Sequence, residues 1–323
     1  METVLHRYVG KFDGLSEPAY IITNSERSSY SCPRFWALEY VQSMDSGEKS
    51  KTLSYGIIVH QLLEYFLASA KDEDRILSLD EMIDIHRKTT PDLLEKEFDG
   101  NVDEEFQNHC MDNIGRSLIG WRNNWLDIWS KWMVIGVELD VYAPIKNADG
   151  SNYREQIPCI EMTIDGEVYT RPARQGEMKA DANGDVDLML SPEEIELLQK
   201  AGKLEVKTIE MPVYIAGRID VLLRNREEPK ELAVLDHKTT SALWKYEKQA
   251  PFDIQLPTYA YLVERGANLG DMGDLSGCKV TTVMYDLLHS KIPSPKPLKS
   301  GKLSTRSSCP SWVLEAKIAE LDL

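Results

Sequence analysis

Apolar positions recur along this chain with two periods. Across residues 54–70, Tyr55, Ile58, Leu62, Tyr65 and Phe66 keep the three-to-four spacing of a helix. The period returns over residues 105–132, where Trp121, Trp125, Trp129 and Trp132 share one stripe. Indoles can stack on bases, but four at helical spacing read as core. Branched apolar runs predict strands at 134–142, 215–223, 232–240 and 279–288. A helix is expected over 253–264, with Pro257 in its first turn, where proline is tolerated. Ser31 and Pro33 suit a helix entry near residue 31. Residues 71–100 are acidic and interrupted by Pro91, which suits solvated helices and loops. Residues 150–202 look like an insertion. Its 181–187 stretch faintly suggests a calcium loop but lacks the required glycine and glutamate, and is read as a turn. A capping-box start at Ser191 leads a helix through Lys200. The chain ends on a short helix-like segment.

The strands at 215–223 and 232–240 are joined by the polar residues 224–230, so they are read as a hairpin. If it is symmetric about Glu228, Asp220 stands opposite Asp236. Opposed residues keep their Cβ atoms roughly 5 Å apart, where like charges repel, so two carboxylates need a cation between them. Lys238 lies two residues past Asp236 and emerges on the same face. Two carboxylates can hold Mg²⁺ or Mn²⁺ and leave places for water and phosphate oxygens. Such an ion neutralises a phosphate and acidifies water. A lysine beside it orients or deprotonates that water, or stabilises charge building on phosphorus. A surface hairpin with scattered charges would carry the same residues, so the rest of the chain decides.

Gly217-Arg218-Ile219-Asp220 followed by Asp236-x-Lys238 resembles the PD-(D/E)XK nuclease superfamily, and within it the RecB-type exonuclease and Cas4-like branch. Three further blocks match in order: Cys32-Pro33-Arg34-Phe35, the G-x-x-x-H of Gly56 and His60, and the Q-x-x-x-Y of Gln255 and Tyr259. The resemblance implies an α/β, restriction-endonuclease-like core: a mixed β-sheet flanked by helices, with helical and loop insertions. It implies His60 as a metal ligand beside Asp220 and Asp236, and Gln255 and Tyr259 as contacts to the DNA backbone, with Arg218 on the substrate side. Asp220, Asp236 and Lys238 would carry the chemistry. A family glutamate on the strand before the hairpin matches Glu138, as a ligand, as an acid behind the ligands, or as an ordinary strand acid. Gly56 would let its helix approach the sheet closely. Iron–sulfur members need four thiolates; downstream of the lysine only Cys278 and Cys309 follow, so no cluster is expected and Cys32 reads as a packed residue.

Composition adds limits. The 323 residues suffice for one elaborated nuclease domain over 1–323. Its parts would be a helical region at 28–132, the insertion at 150–202, a motif core at 213–288 and a basic proline-rich arm at 290–313. No apolar run is long enough for a bilayer, the N-terminus is no signal peptide, and five scattered cysteines suit a reducing compartment, so a cytoplasmic setting is expected. The net charge of −16 argues against a general polyanion binder. Residues 71–110 alone hold 13 acidic and 5 basic residues, whereas 290–313 holds lysines and Arg306 without an acid. That arm either tracks DNA or is a linker. The expected function is metal-dependent DNA hydrolysis at ends, in recombination, repair or replication, with a phage origin as one setting. The partners would be DNA and a helicase or single-strand-binding protein. The alternatives are a structure-specific endonuclease and a non-catalytic DNA-binding subunit.

Overall fold

The computed structural model describes residues 19–23, 27, 51–98, 100–164, 167–172, 179–180, 186–188, 200, 204–241, 254–266, 275–290 and 317–322. In chain order its elements are β1 (Tyr20–Thr23), α1 (Lys51–Glu73), α2 (Leu79–Glu97), α3 (Glu104–Lys131), β2 (Trp132–Pro144), β3 (Arg154–Ile164) and β4 (Glu167–Pro172). Then come β5 (Lys179–Ala180), β6 (Val186–Leu188), β7 (Leu204–Asn225), β8 (Glu231–Thr240), α4 (Gln255–Arg265), β9 (Lys279–His289) and β10 (Lys317–Asp322). The Cys32 block, the Ser191 capping box and the basic arm lie outside the described residues.

The chain divides into two compact units. One comprises Met1–Gly47, Val141–Gly217 and Arg265–Asp271. In it, β3 pairs antiparallel with the first half of β7 and with β4, and β1 runs parallel to β7 over residues 213–216. Ala19, Ile21, Tyr142 and Tyr214 make its small buried cluster. The expected turn at 181–187 is flanked by the antiparallel strands β5 and β6, and residues 181–185 lie outside the described residues.

The second unit comprises Glu48–Asp140, Arg218–Glu264 and Met272–Leu323, and it holds every described candidate site residue. Its sheet is mixed, as expected: β8 is antiparallel to β7 and parallel to β9, and β9 is antiparallel to β10. The hairpin pairs Val221 with Leu235, Leu222 with Val234 and Leu223 with Ala233, so its centre is Glu228 as the sequence suggested. Asn225 fixes the turn: its Oδ1 accepts from the N–H groups of Glu227 and Glu228, and its Nδ2 donates to Glu231.

Helices α1 and α3 bury their apolar faces against one side of this sheet and α2 packs onto these two helices, with Val221, Leu223, Ala233, Leu235, Met284 and Leu288 in the shared core. Trp121, Trp125 and Trp132 are buried in it, which fits the core reading of the tryptophan stripe. Because side chains alternate along a strand, Asp236 and Lys238 point away from the side that Leu235 and His237 face. Helix α4 contacts that other face through Gln255, which donates to Asp236.

Three local expectations are corrected. Pro91 does not interrupt α2; Met82, His86, Thr90 and Leu94 are buried around it, and tertiary packing outweighs the lost backbone bond. Tyr65 is exposed, not part of the buried face of α1. The C-terminal segment is a strand, β10, because the free edge of β9 offers it a full antiparallel ladder.

Candidate active site

Asp220 and Asp236 sit at the end of the hairpin ladder, adjoining the Val221–Leu235 pair. Both are buried. Lys238 Nζ lies 2.5 Å from Asp236 Oδ2. Gln255 Nε2 donates to Asp236 Oδ1 at 3.2 Å and to the Tyr259 hydroxyl at 2.7 Å, so the two residues share a face one turn apart at the start of α4. Gln255 and Tyr259 thus brace Asp236, and Tyr259 is itself buried.

His60 reaches the site from α1, with Nδ1 3.5 Å from Asp220 Oδ2. Gly56, one turn earlier, makes this approach possible: a Cβ there would stand 3.0 Å from Thr239 Oγ1. Glu138 comes from β2 with a backbone φ of +48°, in the left-handed region that a glutamate rarely occupies. Held strain of this kind concentrates at functional sites. One ligand atom each from His60, Glu138 and Asp220 lies within 4.8 Å of the others. Asp236 falls outside that triad and is held by Lys238 and Gln255 instead. His60 and Glu138 open onto a cavity of about 700 Å³ lined also by Glu64, Arg218, Lys238 and Thr239.

The electrostatics favour a bound cation. Burial, then the carboxylates of Asp220 and Glu64, push Glu138 up to about 7. Burial likewise raises Asp220, against the pull of His237 and Lys238, and lifts Asp236 to about 6. Burial, with His237 and Lys238 nearby, lowers His60 to about 4, so its imidazole is neutral at pH 7 with a lone pair to give. One neutral imidazole and two repelling carboxylates make a donor set suited to a divalent ion. Lys238 behaves differently. Burial works against its charge, but the Asp236 carboxylate outweighs that and its pKa is raised, so it stays an ammonium.

A model of the PD-(D/E)XK nuclease superfamily matches residues 27–306. The chain belongs to that superfamily. Membership makes it a nuclease-fold protein with DNA as the implied substrate and a divalent metal as the implied cofactor. No curated protein matches the chain.

Further residues complete the surroundings of the site. Arg218 is engaged in a two-pronged ion pair, with Nε 2.7 Å from Asp140 Oδ1 and Nη2 2.6 Å from Oδ2. The sequence reading also passed over His237 and Asp286. The His237 peptide N–H donates to Asp220 Oδ2 at 2.7 Å, and its Nδ1 lies 2.8 Å from Asp286 Oδ2. His237 was visible only as the residue between Asp236 and Lys238, and Asp286 only as an acid inside an apolar run. Among the described residues no helix is long and apolar enough to cross a membrane.

Proposed function

We propose that this chain is a divalent-metal-dependent deoxyribonuclease that hydrolyses phosphodiester bonds, acting on DNA ends. The observation that carries the reading is the cavity lined by His60, Glu138 and Lys238, with Asp220 completing a ligand triad with the first two and Asp236 paired to the third. His60, Glu138 and Asp220 would hold Mg²⁺ or Mn²⁺, with Asp236 as a further carboxylate across the hairpin. When bound, the ion supplies positive charge against the scissile phosphate and acidifies water.

The remaining roles belong to the chain. Lys238, kept protonated by Asp236, acts as a hydrogen-bond donor and fixed charge towards phosphoryl oxygens as negative charge builds there, rather than as a base. Gln255 and Tyr259 hold the Asp236 carboxylate, and so place Lys238. Arg218, at the cavity edge, contacts the DNA backbone after exchanging Asp140 for phosphate, as a planar guanidinium can. The choice of exonuclease over endonuclease rests on the likeness of the G-x-x-x-H and Q-x-x-x-Y blocks to RecB-type enzymes. A helicase or single-strand-binding partner would offset the acidity of the chain.

The test is cleavage of linear and covalently closed circular DNA, single- and double-stranded, with Mg²⁺, Mn²⁺ or EDTA, beside Lys238→Ala and Asp220→Asn. Metal-dependent loss of linear DNA alone, absent in both variants, is expected. Cutting of closed circles would replace the exonuclease reading by an endonuclease. No cutting with any metal, with DNA binding unchanged in the variants, would leave a binding subunit.

A further inference from the structure

Behind the Asp220 carboxylate lies a buried polar cluster that hydrolysis does not use. Asp286 on β9 is 0% exposed. Its Oδ2 accepts from Trp121 Nε1 at 2.6 Å and Trp125 Nε1 at 3.3 Å, and meets His237 Nδ1 at 2.8 Å. His237 and Asp286 are direct register partners on parallel strands. The two tryptophans stand one turn apart on α3. Asp286 Oδ1 and His237 Nε2 are buried without a hydrogen-bond partner among the described residues.

Such a cluster is costly. A buried carboxylate loses its hydration, and an apolar group of equal size is often no less stabilising. Its stability value alone does not account for placing three N–H donors on one oxygen. Its position is more informative. His237 lies between Asp236 and Lys238, and its side chain points to the opposite face from theirs. Anchoring that ring fixes the backbone from which both neighbours project. The same residue's N–H donates to Asp220 Oδ2, the oxygen nearest His60 Nδ1. One residue therefore joins a rigid buried anchor to a candidate ligand oxygen.

We infer that Asp286 and His237 are a positioning pair, which holds the Asp220 carboxylate in its metal-binding orientation through the His237 peptide N–H. Trp121 and Trp125 lock the Asp286 end. The inference rests on the metal-site reading proposed above. Ligating carboxylates are oriented by their own hydrogen-bond donors, and losing such a partner weakens metal affinity about 10- to 100-fold.

The experiment measures Mn²⁺ dissociation constants by electron paramagnetic resonance on the full chain, without DNA, alongside unfolding in EDTA. The variants are Asp220→Asn, Asp286→Asn, His237→Leu, His237→Asn and the Asp220→Asn/Asp286→Asn double. Asparagine at 286 keeps the shape but loses the charge and turns a donor towards donors. Asparagine at 237 keeps a side-chain N–H for Asp286; leucine does not. Folded Asp286→Asn and His237→Leu are expected to bind Mn²⁺ at least about tenfold more weakly. His237→Asn is expected to recover most of the affinity, and the double variant to lose no more than Asp220→Asn alone. A merely structural cluster would lower the unfolding midpoint and leave the affinity of the folded protein alone. That result, or additive losses in the double variant, would overturn the pair. If Asp286→Asn does not fold, the leucine–asparagine comparison at 237 decides. Unchanged Mn²⁺ affinity in Asp220→Asn would instead sink the metal site itself, and this inference with it.

Discussion

Replacing Glu138 by glutamine separates the stability of this site from its use. Glu138 rises from 4.5 to about 7, chiefly through burial and then through Asp220 and Glu64. A rise of that size is worth about 3 kcal/mol if fully expressed. Glu138 is only half-buried, and solvent screening reduces the figure to about 1–2 kcal/mol. Its folded pKa lies above its unfolded one, so the folded chain binds this proton more tightly. The contribution is complete below pH 4.5 and is lost as the pH climbs through about 7. Glutamine carries no charge at any pH and keeps the side-chain length and the same β2 backbone, so the strain at φ +48° cancels in the comparison. In EDTA at pH 8, Glu138→Gln is therefore expected to be more stable than the parent by about 1–2 kcal/mol. The gap should close towards pH 5. Urea unfolding followed by the fluorescence of buried Trp121 and Trp125 reads this directly. Saturating Mn²⁺ should invert the order, since a ligand at a hundred times its dissociation constant adds about 2.7 kcal/mol to a protein that binds it. A Glu138→Gln variant no more stable than the parent at pH 8, or a gap unchanged at pH 5, would refute the electrostatic argument.

Four other outcomes follow from the same geometry. Mn²⁺ affinity should fall about fivefold from pH 7 to 6 for the proton displaced from Glu138; the fall should survive in His60→Ala, because His60 lies near 4, and shrink in Glu138→Gln, as calorimetry across pH would show. Gly56→Ala meets Thr239 Oγ1, so in a Thr239→Ala background it should stabilise α1 by about 1 kcal/mol, and by less or not at all in the parent, as thermal unfolding of the four proteins would show. Arg218→Ala breaks an exposed pair with Asp140 and should change stability by less than about 1 kcal/mol while raising KM for DNA; an unchanged KM would remove it from the substrate path. Lys238→Ala should abolish cleavage yet bind DNA more than about tenfold tighter with Mn²⁺ than with EDTA, since the ion replaces repulsion by attraction; equal binding by fluorescence anisotropy would contradict that.

The sequence made the hairpin legible because its signals are local. Two branched apolar runs flank a seven-residue polar stretch, and the strand period then decides which of Asp236, His237 and Lys238 share a face. His60 and Gly56 were legible through the likeness of their G-x-x-x-H spacing to the family block, and the close approach of Gly56 to Thr239 gives that glycine its physical reason. Glu138 could not be settled from its residue type, because nothing about glutamate encodes a left-handed backbone on a strand. Asp286 was illegible for another reason. Its partners are 49, 161 and 165 residues away, and an acid among Val283, Met284, Tyr285 and Leu287 gives no local hint that three donors await it. The same holds for Asp140, whose pairing with Arg218 spans 78 residues. The 150–202 region looked like an insertion because its strand β3 finds its ladder on the unanticipated first half of β7.

The charges of the site also order its events. Glu138, Asp220 and Asp236 meet Lys238, Arg218 and the buried His237, of which Arg218 is already paired with Asp140 and His237 with Asp286. Lys238 faces the carboxylates of Asp236 and Asp220, and it is committed to Asp236 at 2.5 Å. The raised pKa values of Glu138 and Asp220 express that deficit, since burial lifts each acid and the positive charges nearby do not offset it. A phosphate approaching this cavity without a metal adds negative charge to a site already short of positive charge, in a chain of net charge −16. A metal ion held at the proposed site would relieve the carboxylates first and create the attraction for phosphate second. On that logic the cation is part of the DNA-binding surface as well as of the chemistry, and DNA should enter a metal-loaded cavity rather than bring the metal with it.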